Sequence, residues 1–157
     1  LLGQSGNDTL TGGGGDDLAA GGGGADSIDG GSGGDNIHGG AGADLLKGGT
    51  GNDIFVYEAI SDSTQLDTDV ILDFDNGQDK IDFSLIDADA AKPGDQAFVW
   101  GGAVTGRPLT GSAEGKVVYW TQNGLTFVQA DAAGDGLPPL ELMLSGKHTM
   151  SVTDFIF

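Results

Sequence analysis

The sequence predicts an all-β protein with two segments: a solenoid of stacked turns over residues 1–56 and a capping β-sandwich over residues 57–157. Three observations carry this. Glycine is segregated, with 20 of the 31 glycines in residues 1–56. A nine-residue period runs through that half without insertion. The other half holds nearly all the aromatic residues and alternates apolar with polar side chains, the period of half-buried strands.

Six units start at Gly3, Gly12, Gly21, Gly30, Gly39 and Gly48. The second position is Gly in five units, with Gln4 the exception. The fourth is always Gly: Gly6, Gly15, Gly24, Gly33, Gly42 and Gly51. The sixth is always Asp: Asp8, Asp17, Asp26, Asp35, Asp44 and Asp53. The eighth is always apolar: Leu10, Ala19, Ile28, Ile37, Leu46 and Phe55. A flexible linker has composition without phase, so this register argues against one. The first six residues of a unit turn the chain, since Gly accepts positive φ without strain. The last three form a short strand, with the eighth residue on one face and its neighbours on the other. Leu10, Ile28 and Leu46 then stack on one sheet, and Ala19, Ile37 and Phe55 on the facing sheet. Thr9, Thr11, Asp29, Asn36, His38 and Lys47 face water. Two units complete one coil.

The chain carries a formal charge of −18, and 21 of its 24 acids are Asp. Stacked turns align the sixth-position carboxylates along each edge of the solenoid. One apolar side chain per unit offsets neither that repulsion nor an ordering entropy of about 1–2 kcal/mol per residue. A cation between turns cures both problems. Carboxylates and carbonyls are hard ligands, which favours calcium. The absence of Cys, with only His38 and His148 as imidazoles, argues against zinc. Six Lys and Arg are too few for nucleic acid, and the charge disfavours anionic membranes. No apolar run is long enough to span a bilayer.

The units resemble the GGxGxDxUx nonapeptide of repeats-in-toxin (RTX) proteins over the whole of residues 3–56. The resemblance implies a parallel β-roll with calcium between turns two units apart. It implies as ligands the second-position carbonyls of Gly13, Gly22, Gly31, Gly40 and Gly49. The fourth-position carbonyls from Gly6 to Gly51 and the six phased Asp join them. Asp62, nine residues after Asp53, is expected to close a further site with Asp44, and Asp69 another on the opposite edge. The total is about four to six ions. Leu1 falls in the inward position of a preceding unit, so the array is expected to begin earlier in a longer protein.

After Val56, apolar alternation predicts strands at 54–58, 69–74, 80–83, 97–100, 116–121, 124–130, 139–144 and 152–157. Asp75-Asn76-Gly77, Pro93-Gly94, Asn123-Gly124 and Gly134-Asp135-Gly136 separate them, and Asn123-Gly124 reads as a tight hairpin. The one helical candidate is a short turn near Leu85–Ala91. Gly48–Tyr57, Ser61-Asp62-Ser63, Asp69–Phe74, Asp79–Ser84 and Phe127–Gly146 together resemble the serralysin C-terminal domain. Ala132 and Ala133 depart from the more acidic turn of that domain, which argues against a metal there. Asp154-Phe155-Ile156-Phe157 resembles the uncleaved signal read by type I secretion systems.

No H-E-x-x-H zinc motif is present. His38 is expected to be merely solvated and His148 to lie in a turn. Ser112 and Ser145 lack a nucleophile elbow. The chain therefore reads as a non-catalytic module: calcium-binding, folding on calcium, secreted and extracellular. The resemblance implies a zinc metalloprotease as its parent. A second reading is a polysaccharide (alginate) binding module like those of mannuronan epimerases. Lys47, Lys80, Lys92, Arg107, Lys116 and Lys147 are few and scattered for an anionic glycan. A third is a structural or adhesive surface protein built on the same roll.

Overall fold

The nine-residue period builds two facing parallel sheets. The computed structural model describes residues 1–89, 91–106, 115–133 and 138–157. Arg107, Ser112 and the expected turn Gly134-Asp135-Gly136 lie outside the described residues. Strands β1 (Leu2–Ser5), β2 (Thr9–Gly14), β3 (Leu18–Gly23), β4 (Ser27–Ser32), β5 (Asn36–Ala41), β6 (Leu45–Thr50) and β7 (Ile54–Val56) alternate between the sheets. β2 pairs with β4 and β4 with β6; Leu10 lies beside Ile28, and Ile28 beside Leu46. β3 pairs with β5 and β5 with β7; Ala19 lies beside Ile37, and Ile37 beside Phe55. Both inward stacks are those expected from the period.

Most of these strands are six residues long rather than the expected three. They run on through the glycines of the next unit, where Gly13 pairs with Gly31 and Gly22 with Gly40. Glycine removes the side chain but not the backbone donors and acceptors, so the ladder continues through the bend.

The second half adds strands to the same two sheets. β8 (Asp69–Ile71) pairs with β6 and sets Ile71 beside Leu46. β9 (Lys80–Asp82) pairs with β7 and sets Ile81 beside Phe55. β10 (Val99–Ala103), β11 (Lys116–Gln122), β12 (Leu125–Asp131) and β13 (Leu140–Leu144) extend one sheet, and β14 (Phe155–Ile156) extends the other. The final orders are β10-β11-β12-β13-β8-β6-β4-β2 and β1-β3-β5-β7-β9-β14. The expected capping sandwich is thus a prolongation of the roll's own sheets. The physical reason is that the last coil leaves two open parallel edges, which β8 and β9 cover.

Asn123 and Gly124 both take positive φ, 54° and 83°, as a tight hairpin between β11 and β12 requires. Residues 85–89 and 91 form no helix. Short 3₁₀ turns lie instead at Ile60–Asp62 and Val152–Asp154. The second replaces the start of the strand expected at 152–157. One apolar cluster runs from Ala19 to Phe155 and widens from aliphatic to aromatic at Tyr57, Phe83 and Phe98. No described helix is long and apolar enough to cross a membrane.

Candidate metal centre

The sixth-position aspartates form two ladders, one on each edge of the roll. The backbone N–H of each donates to the Oδ1 of the aspartate one coil later. On one edge Asp8 donates to Asp26 and Asp26 to Asp44, each at 2.8 Å. On the other Asp17 donates to Asp35 at 2.8 Å and Asp35 to Asp53 at 2.9 Å. One carboxylate oxygen is thereby consumed in joining coils. The second is not. Oδ2 of Asp8, Asp17, Asp26, Asp35, Asp44, Asp53 and Asp69 is buried without a hydrogen-bond partner.

These orphaned oxygens converge with backbone carbonyls. A Cβ placed on Gly21 would lie 2.2 Å from Asp26 Oδ2 and 2.7 Å from the Gly39 carbonyl oxygen. At Gly30 the same point is 2.3 Å from Asp35 Oδ2 and 2.8 Å from the Gly48 oxygen. The space above Gly3, Gly12, Gly21 and Gly30 is therefore lined by one anionic oxygen and one carbonyl of the next coil, and that above Gly39 and Gly48 by the carboxylates of Asp44 and Asp53. Carbonyls of the second and fourth positions point along the roll as well. Those of Gln4, Gly13, Gly22 and Gly31 face the second-position Gly22, Gly31, Gly40 and Gly49. Those of Gly6, Gly15, Gly24 and Gly33 face the fourth-position Gly24, Gly33, Gly42 and Gly51. The first-position carbonyls of Gly21, Gly30, Gly39 and Gly48 were not among the expected ligands. Glycine at the first position of every unit was the sequence signal for them.

The array fits a hard cation held by mixed carboxylate and carbonyl oxygens. Among the described residues no three His, Cys, Asp or Glu side chains converge on one point suited to a metal. Any ion here would therefore draw much of its coordination from the backbone.

The ladder ends differ from expectation. Asp69, not Asp62, follows Asp44: the Asp44 N–H donates to Asp69 Oδ1 at 2.9 Å. Asp69 thus lies on the Asp44 edge and not on the opposite one. Asp79 takes the opposite end, accepting from the Asp53 N–H at 3.0 Å. Its Oδ2 accepts from Asp75 N–H at 2.8 Å, so Asp79 closes its ladder with both oxygens used. Asp62 Oδ2 instead accepts from the N–H groups of Glu58 and Ala59, each at 2.8 Å, and caps a 3₁₀ turn. The spacing of nine places Asp62 in phase along the chain, but after Tyr57 the chain leaves the sheet for a 3₁₀ turn, and phase no longer measures position. Asp73 is a further terminator, its two oxygens taking the N–H groups of Gly48 and Gly49 at 3.0 and 2.9 Å.

Burial and mutual repulsion make the last rungs basic. Burial pushes Asp69 up to about 8, with the carboxylate of Asp44 adding to it. Burial, then Asp26 and Asp62, raise Asp44 to about 6. Asp53 and Asp79 are raised for the same reasons. The fully buried hydroxyl of Tyr57 faces this end beside Asp69, and its own ionisation is suppressed.

The two histidines are engaged rather than free. His38 Nδ1 lies 3.4 Å from Glu58 Oε1, beside a shallow groove of about 350 Å³ that Asp62 also lines. His148 Nδ1 lies 2.8 Å from Asn76 Oδ1. Lys47, paired with Asp29 at 2.8 Å, sits on the outer face of the roll.

No curated protein sequence matches the chain. Among the solved structures that share the fold are two that match over nearly the chain's full length. One is the solution structure of the AlgE6R2 subunit of the Azotobacter vinelandii mannuronan C5-epimerase, 28% identical, with TM-score 0.67. The alignment covers 100% of this chain and 91% of that one. The other is the AlgE6R3 subunit of the same enzyme, 33% identical, with TM-score 0.68, covering 98% of this chain and 80% of that one. The model of the peptidase M10 serralysin C-terminal family matches residues 1–157. With its repeats, parallel roll and terminal strands all inside that match, the chain belongs to the peptidase M10 serralysin C-terminal family.

Proposed function

We propose that this chain is a calcium-binding module that folds when calcium fills the edges of its roll. The observation that carries this is the buried, unpartnered Oδ2 of each of the six phased aspartates and of Asp69. A buried anionic oxygen without a partner is costly. Repeating that cost along both edges is reasonable only if a ligand absorbs it. Calcium would supply charge neutralisation and bridging between coils, held by the phased aspartates, Asp69 and the carbonyls that point along the roll. A ligand that binds only the folded state stabilises it by mass action. In a compartment poor in calcium the chain would stay extended; in the extracellular medium it would fold. Such a module suits export through a type I secretion system, with Asp154–Phe157 as the signal. A secreted metalloprotease is the parent that the family suggests.

The test is far-UV circular dichroism during a calcium titration, with magnesium as control. A cooperative gain of β signal at about 10⁻⁴–10⁻³ M calcium is expected, the range of extracellular modules. Full β structure in excess chelator at neutral pH would overturn the reading.

The similarity to two subunits of a mannuronan C5-epimerase favours a second reading, a module that binds a polysaccharide. Affinity electrophoresis in gels containing mannuronan, with calcium present, tests it; retardation supports the reading, and unchanged mobility removes it.

A further inference from the structure

The end of the Asp53 ladder and the C-terminus of the chain meet at one five-residue turn. Asp75–Asp79 holds the last rung through Asp79, which accepts from the Asp53 N–H at 3.0 Å and from the Asp75 N–H at 2.8 Å. The same turn grips Asp154. Gly77 N–H donates to Asp154 Oδ1 at 3.2 Å, and Asn76 Nδ2 donates to Asp154 Oδ2 at 3.3 Å. Ser151 adds its N–H at 2.7 Å and its hydroxyl at 3.1 Å to that oxygen. Asn76 Oδ1 in turn faces His148 Nδ1, which ties the 145–148 segment to the turn. Asp154 is 2% exposed, so these donors satisfy its carboxylate oxygens in place of water.

Beyond Asp154 the chain enters the core. Phe155 pairs with Ile81 in β9, the strand that directly follows the turn. Its ring lies 5.1 Å from that of Trp100 and stacks on Phe83 at 6.1 Å and on Phe157 at 5.7 Å. The last four residues, which the sequence singles out as an export motif, are thus largely built into the fold.

We infer that the turn Asp75–Asp79 couples the metal-bearing roll to the C-terminal strand. Ordering the last rung positions Asn76 and Gly77 to capture Asp154, and capture carries Phe155 into its aromatic pocket. The motif Asp154–Phe157 is then available to a receptor before the roll orders and covered afterwards. This rests on the calcium reading for its trigger. Coupling is reciprocal, so loosening the strand must weaken calcium binding although Asp154 is remote from the repeats in sequence.

The experiment follows two signals in one calcium titration of the full chain. Far-UV circular dichroism reports the roll. Release of the terminal residues by carboxypeptidase, with Trp fluorescence alongside, reports the strand, because Trp100 packs on Phe155. Protection of Phe157 and Ile156 is expected to appear at the same calcium concentration as the β signal. A coupling of about 5–150-fold is typical of linked sites. Spread over about four to six cooperating ions, it should raise the midpoint about 1.3- to 3.5-fold in Asp154→Asn. The milder Asn76→Ala should shift it in the same direction, whereas Leu66→Ala, at a 93% exposed position, should not. A β signal that responds to calcium while the terminus stays equally cleavable, or unchanged midpoints in both latch variants, would overturn the coupling and leave the calcium reading intact. If the β signal ignores calcium, the calcium reading fails. The latch is then judged by urea unfolding. Equal urea midpoints for Asn76→Ala, Asp154→Asn and the parent would overturn it, and lowered midpoints with early terminal cleavage would support it.

Discussion

A single aspartate of the ladder has two oxygens with two different jobs, and substitution can separate them. In Asp35 the Oδ1 takes the Asp17 N–H while the Oδ2 stays unpartnered. Asp35→Asn keeps an acceptor for that N–H and removes the charge. Its metal-free form should be at least as stable as the parent, and its calcium midpoint should rise. Asp35→Ala also strands the amide, costing about 1–3 kcal/mol more. Urea unfolding in saturating calcium, and in chelator at pH 5, distinguishes the two variants. The same logic fixes the sign of the pH dependence. Asp44 and Asp69 bind protons more tightly folded than unfolded, at about 6 and about 8 against 3.8. Protonation therefore favours the metal-free fold fully below pH 3.8, and that stabilisation is lost as pH rises through 6 and then 8. In chelator the far-UV β signal should therefore be stronger at pH 5 than at pH 8. Calcium needs the deprotonated oxygens, so its affinity should rise over the same interval. The phased aspartates were legible in the sequence because six repeats of one spacing leave little else to explain. Asp79 and Asp73 were not, because the chain reaches them through loops with no period.

At the scale of the element, the coil is held by glycines whose backbone faces the next coil. Gly40 has φ +94°, and a Cβ there would lie 2.1 Å from the Gly22 carbonyl oxygen. Gly13 has φ +102° but no atom of the protein within 4 Å of that Cβ. Both Ala variants bear left-handed strain of roughly 1–2 kcal/mol, but Gly40→Ala must also push neighbouring coils apart. It should lower the urea midpoint in calcium clearly more than Gly13→Ala; equal effects would mean that the carbonyl spacing does not hold the coils together. The nine-residue unit revealed the turn and the inward residue, yet not the length of its strands. Hydrogen bonding continues through the turn glycines, since apolar alternation marks side chains and is silent about backbone. The hairpin at Asn123-Gly124 was legible for the opposite reason: its two residues specify a local backbone twist.

At the scale of the whole molecule, charge and burial oppose each other. A chain of net charge −18 with one inward apolar residue per repeat repels itself until its carboxylates are neutralised. Small-angle scattering should show a radius of gyration approaching the unfolded value of about 40 Å without calcium at neutral pH, and below about 20 Å with it. Sodium chloride screens only over a Debye length of about 10 Å at 0.1 M. It should not reproduce the compaction that millimolar calcium produces; if it does, screening and not site binding drives folding. The aromatic end of the cluster, from Tyr57 through Phe83 and Trp100 to Phe155, closes the roll on the side where the repeats stop. By itself the sequence determined the all-β class, the coil, its two inward stacks and the two edges of aspartate, because these follow from a local period that each unit states again. The tertiary structure alone decided that the second half prolongs the roll's own sheets. It also decided that Asp69 and Asp79 end the ladders and that Asp154 is seized by a turn far away in the chain. Those outcomes depend on which open edge each later strand covers. That choice is made by long-range pairing and burial, which leave no periodic mark in the sequence.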